Sequence, residues 1–224
     1  MLRPFRTATV AAITTGILLG GGGSAIAAGS SGVVAPHGSV AGKSYGYYVG
    51  KVWQVIFESP TKNPDTCATE TINGRQVAVV WPAITGSGTF KQTCTEPAGR
   101  AIYLQHVADE CSTFKGDHGK FGTTDAQLRK CARAEFKNST GTTTVDGQAI
   151  SNVDRFIAGS GVYGISLSSR HNYYGYKKHH GRSAAYGFGV LLRGLTTGTH
   201  KVVVTGRIPA YKFHLKVTYT IHVQ

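Results

Sequence analysis

Acidic residues are what this sequence lacks. From Arg155 to Gln224 there is no Asp or Glu, while ten Lys/Arg and six of the nine histidines fall there. Before that point the balance is nearly even. The net charge of +13 is therefore carried largely by the C-terminal third. Charge placed so unevenly points to an anionic partner rather than to solubility alone. Paired cysteine motifs are also missing. With no Cys-x-x-Cys anywhere, the four cysteines do not read as a zinc site. No nucleophile elbow occurs either, because Thr85 and Ala158 stand where the first glycine of Gly-x-Ser-x-Gly belongs. Long apolar runs are absent after the first thirty residues, which excludes a helical membrane span there. No long-period repeat is present.

The N-terminus has the layout of a secretory signal peptide. Arg3 and Arg6 precede an apolar stretch from Ala8 to Leu19, and Ala25-Ile26-Ala27 supplies small residues for cleavage. Residues 1–27 are thus expected to be a signal peptide and the protein to be secreted and extracellular. Residues 28–43, rich in Gly, Ser and Pro, are expected to form a flexible leader, and 44–224 a single domain. In an exported chain an even number of cysteines implies disulfides. Three pairings are possible. The sequential pair Cys67–Cys94 and Cys111–Cys131 is the expected one, each bridge contributing roughly 3 kcal/mol on the loop-entropy model.

Two helices stand out. Tyr45, Tyr48, Val49, Val52, Trp53, Ile56 and Phe57 recur at three- and four-residue spacing behind a capping Ser44. Thr124-Asp125 caps "AQLRKCARAEFK". The rest reads as strands: "RQVAVVW", "GTFKQTCTE", "RAIYLQHV" and a hairpin turning at Asp146-Gly147. From Tyr211 to Gln224 apolar and polar residues alternate without a break, which predicts a long strand with one wet face, paired with "THKVVVTGRI". The expected fold is mainly β, an antiparallel sandwich or jelly-roll-like domain with one or two peripheral helices.

The stretch "GKSYGYYVGKVWQVIFESPTKNPDTC" resembles the opening of a family of secreted bacterial proteins of uncharacterised function. "CTEPAGRAIYL", "ECS", "LRKCA", "VDG", "LLRGLTTGTH" and "VTYTIHV" follow in that family's order. The resemblance spans essentially the whole chain after the leader. It implies a secreted β-rich domain with paired cysteines and supplies no catalytic residue. The chain departs from the family in carrying one tryptophan, Trp53, in its first helix, and in the basic stretch described next.

"RHNYYGYKKHHGR", Arg170 to Arg182, holds three histidines, three tyrosines and four Lys/Arg. The expected ligand-binding surface combines Arg170, His171, Tyr173, Tyr174, Tyr176, Lys177, Lys178, His179, His180 and Arg182 with Lys212, His214 and Lys216 of the last strand. Cations attract a polyanion at long range, and tyrosine faces stack on sugar rings or bases. The expected partner is an anionic polysaccharide or cell-wall polymer. No nucleic-acid motif is present. Histidines titrate near pH 6.5 when unperturbed, so such binding strengthens on acidification. His171, His179 and His180 match no metal-ligand spacing and sit among cations, so no metal or cofactor is expected. Two alternatives stay open. One is a secreted carbohydrate-active hydrolase using Asp109, Glu110 or Asp117 near Cys111, although Asp109 and Glu110 as strand neighbours should point opposite ways. The other is a surface structural protein without a discrete ligand.

Overall fold

The computed structural model describes residues 32–60, 66–82, 86–115, 121–167 and 180–224. In chain order its elements are β1 (Ser39–Val40), β2 (Lys43–Ser44), α1 (Tyr45–Glu58), β3 (Cys67–Ile72), β4 (Arg75–Val80), β5 (Gly88–Glu96) and β6 (Ala101–Ser112). Then come α2 (Asp125–Glu135), β7 (Thr140–Val145), β8 (Gln148–Ala149), β9 (Ile157–Gly159), β10 (Tyr163–Ser166), β11 (His180–Leu192), β12 (Gly198–Ile208) and β13 (Phe213–Val223). The fold is mainly β with two helices, as its patterning implies.

Two sheets carry the structure. One has the order β10-β11-β6-β4-β3, with β9 also on β11; the other runs β5-β13-β12-β7-β8. They pack face to face, which small residues permit. A Cβ added to Gly206 of β12 would lie 2.3 Å from Val107 of β6, and one on Gly141 of β7 would lie 2.2 Å from the Phe188 ring of β11. Close approach, rather than turn geometry, calls for glycine at these two positions. The sheets are mixed rather than purely antiparallel. β4 pairs with β6 and β13 pairs with β5 in parallel, since the chain crosses between sheets before returning to each.

α1 covers the face of the first sheet turned away from the second. Its Tyr48 stacks on Tyr103 of β6 at 5.4 Å between centroids, and Gly46 lets its backbone reach Gly159 of β9. Ser44 stands at the N-cap, yet its hydroxyl makes no capping bond. α2 starts with a capping box. The Thr124 hydroxyl accepts from the Gln127 N–H at 3.2 Å, and the Gln127 side chain accepts from the Thr124 N–H at 3.1 Å. Asp146 and Gly147 both have positive φ, 50° and 81°, the primed turn that joins β7 to β8.

The bridges are Cys67–Cys94 and Cys111–Cys131. The first ties β3 of one sheet to β5 of the other, and the second ties α2 to β6. Three expectations need correcting. From Gly32 on, the supposed flexible leader is docked: Val33 and Val40 are buried, and Tyr45 and Tyr48 donate hydroxyl bonds to the carbonyls of Val34 and Val40. The last strand begins at Phe213 rather than Tyr211, because Pro209–Tyr211 form a 3₁₀ turn and Lys212 has φ 52°. Finally, His180 to Arg182 are not loop but the first residues of β11.

Candidate binding face

The outer face of the second sheet is built by alternation. Along β13, Leu215, Val217, Tyr219, Ile221 and Val223 are buried against the first sheet, while His214, Lys216 and His222 are exposed. β12 turns Thr199, Lys201 and Arg207 outward, and β5 turns out Thr89, Lys91, Thr93 and Thr95. On β7, Thr140 and Thr142 share this face.

The register sets the charge pattern. Lys216 pairs with Thr89 on one side and Thr205 on the other; Lys91 stands beside Thr218, and Arg207 beside His214. Lys91, Lys216 and Arg207 therefore form a diagonal across three strands. With strands about 4.8 Å apart and a two-residue step of about 6.7 Å, successive cations lie roughly 8 Å apart. Threonines fill the positions between them, and two, Thr142 and Thr205, join hydroxyls at 2.7 Å across the β7–β12 pair. No carboxylate projects from this face. The nearest turn acid, Asp146, is held at the sheet end by His200 Nδ1 at 2.8 Å and by the Lys201 N–H at 2.8 Å. That contact lowers the Asp146 carboxyl pKa and raises the His200 imidazole, in each case chiefly through their shared hydrogen bond working against burial or alongside a backbone bond to Thr196.

The expected ligand residues separate. Lys212, His214 and Lys216 belong to the second sheet, with Lys212 at its exposed hairpin end. His180 and Arg182 belong to the first. The Arg182 guanidinium is engaged by Asp125 and by the Thr123 carbonyl, at 3.0 Å from the latter. His180 Nδ1 lies 3.3 Å from the Ser166 hydroxyl. Arg170, His171, Tyr173, Tyr174, Tyr176, Lys177, Lys178 and His179 lie outside the described residues, as does Asp117.

The candidate acids do not meet. Asp109 Oδ2 accepts from the Tyr211 hydroxyl at 2.6 Å, on the side of the second sheet. Glu110 points the other way and accepts from the Ser183 hydroxyl at 2.7 Å. Both are buried, so neither shares a cleft with the other. Among the described residues no three His, Cys, Asp or Glu side chains gather where a metal ion could sit. No described helix is long and apolar enough to cross a membrane.

The sequence reading missed Lys91, Lys201 and Arg207. Their signal was present as alternation in "GTFKQTCTE" and "THKVVVTGRI", but only register brings the three strands side by side. It also missed Gln105 and His106, a polar pair interrupting an apolar strand.

The fold so described is a disulfide-bridged, two-sheet β protein. No protein-family model matches the chain, and no curated protein does. Two solved structures share a faint likeness. PbICP-C, solved in complex with falcipain-2, is 10% identical over 62% of this chain and 92% of its own, at a TM-score of 0.24. Amebosin, solved in solution, is 12% identical over 62% of this chain and all of its own, at 0.22. Likeness at that level carries no inference about activity.

Proposed function

We propose that this is an exported protein that binds an anionic polymer on the outer face of its second sheet. The observation that supports it is the diagonal Lys91, Lys216, Arg207 on a threonine-rich face without a carboxylate. A polyanion laid along that diagonal meets one cation about every 8 Å, and threonine hydroxyls between them serve as neutral donors and acceptors. Extracellular polyanions of this kind are acidic polysaccharides and cell-wall polymers. The paired cysteines agree with an oxidising compartment. The stretch 170–179 joins this reading by composition alone.

Binding to dextran sulfate, heparin and neutral dextran across a salt series tests it. The parent is expected to bind the two polyanions, more weakly as salt rises, and to ignore the neutral polymer. The triple variant Lys91→Gln, Lys216→Gln, Arg207→Gln should lose at least about tenfold in affinity and lower the salt slope by about three, one for each cation. If the triple variant binds like the parent while Lys177→Gln with Lys178→Gln abolishes binding, the sheet face is not the site.

A further inference from the structure

A cleft of about 250 Å³ opens beside β6, on the far side of the sandwich edge from the basic face. Its origin is local. β4 pairs with β6 only as far as Leu104, after which Trp81 and Pro82 leave the sheet. Opposite, the β6–β11 register slips: Val107 pairs with Phe188 but Gln105 with Gly189, leaving His106 as the extra residue of a bulge. The bulge turns the His106 ring edge-on to Phe188 at 5.0 Å and sets its Nε2 2.6 Å from the Thr143 hydroxyl. Trp53 and Ile56 of α1 wall the cleft on one side and Tyr211, Phe213 and Leu215 on another. These last three alternate in sequence with the cations of the basic face, so one strand end serves both surfaces.

Three buried polar atoms of residues lining this cleft have no hydrogen-bond partner in the protein: Trp53 Nε1, Gln105 Oε1 and His106 Nδ1. Gln105 is 4% exposed and His106 fully buried. A native interior leaves few such atoms, and each costs about 1–3 kcal/mol unless something meets it. Their grouping at one cleft points to an occupant. Its chemistry follows from the lining. The walls are aromatic and aliphatic, which favours a flat apolar body. No Lys or Arg lines the cleft, and its one carboxylate, Asp109, already accepts from the Tyr211 hydroxyl and from the Glu110 N–H at 3.0 Å. Nothing there is positioned to balance a charged ligand. The amide oxygen of Gln105 accepts only, and the Trp53 indole donates only. A hydroxyl meets both, since it donates one bond and accepts others. The volume exceeds the roughly 150 Å³ that holds a benzene ring in a dry cavity.

We propose that this cleft binds a small neutral aromatic molecule bearing a ring hydroxyl, a phenol-class ligand, with the hydroxyl directed to Gln105 and Trp53. This site is independent of the polymer face. The protein's two tryptophans, Trp53 and Trp81, both line it, so their indole N–H resonances report occupancy directly. Phenol and p-cresol, titrated into the protein, should shift both resonances saturably and about tenfold more tightly than toluene, the worth of one added hydrogen bond. Benzoate should leave them in place. Gln105→Leu should bring phenol and toluene to equal affinity while toluene still binds. Trp53→Phe keeps the wall but removes the donor, and should narrow the same preference, read on Trp81. Should Gln105→Leu fail to fold, Trp53→Phe alone decides the point. The proposal is overturned if no probe moves either indole, which would leave the cleft to water, or if toluene or benzoate binds the parent as tightly as phenol.

Discussion

β6 and β13 are inner strands of similar length, 12 and 11 residues, yet their sequences obey different rules. β13 alternates, because its second face meets water. β6 carries buried residues at almost every position, because α1 covers one face and the second sheet the other. Polar groups accordingly cost different amounts in the two strands. On β13 a lysine or histidine sits in solvent at little cost. On β6, Gln105, His106, Asp109 and Glu110 are all buried, and three of the four are tied to Thr143, Tyr211 or Ser183. A two-sided strand thus keeps polar residues only where partners or a cleft receive them, whereas a one-sided strand is free to build a binding face.

The sharpest way to test this contrast is at the sheet interface. Phe188, fully buried between the sheets against His106 and Phe136, should lose about 3–5 kcal/mol of stability on Phe188→Ala, measured by urea unfolding. A loss under about 1 kcal/mol would mean the sheets are not packed as described.

A medium effect is expected from pH. Burial pushes the His106 imidazole down to about 3. The unfolded chain binds a proton at the ordinary value of about 6.5, so it takes up protons that the folded state refuses. Stability should therefore fall as pH drops through the window from about 6.5 to about 3, by at most about 1.4 kcal/mol per unit. His106→Gln should flatten that part of the slope in urea melts between about pH 7 and about pH 4. His200, on the second sheet, behaves oppositely. Its pKa is raised, so its contribution is present below about 6.5 and fades as pH rises through the raised value. The lowered Asp146 carboxyl contributes above about 3.8, fading as pH falls through its depressed value. The pair is partly exposed, and solvent limits it to under about 1 kcal/mol. An unchanged slope in His106→Gln would remove the contrast.

The smallest effect belongs to the wet face. Lys216→Ala should change stability by no more than about 0.5 kcal/mol. A larger loss would show that the face is covered by something other than water.

Much of the second sheet was legible from composition and periodicity. The alternation from Phe213 to Val223, the Asp146-Gly147 turn and the Thr124 cap are local signals, and each depends on residues within a few positions of one another. The first sheet was harder to read. A strand buried on both faces has no period of two, so the 13 residues of β11 passed for the end of a basic loop. The candidate sites divide in the same way. Lys212, His214 and Lys216 were visible on one strand. The diagonal to Lys91 and Arg207 was not, since it spans residues more than a hundred positions apart.

By itself the sequence determined the mainly β class, the two helices, the cysteine partners and the strong basic bias of the last third. Those follow from side-chain periodicity, capping chemistry and loop length, which act along the chain. Only the tertiary structure decided that β5 would lie parallel to β13, that Arg182 would be engaged by Asp125, and that a bulge at His106 would face an aromatic cleft. Sheet register and face-to-face packing join distant segments, and their energies depend on which surfaces meet rather than on any one segment's composition.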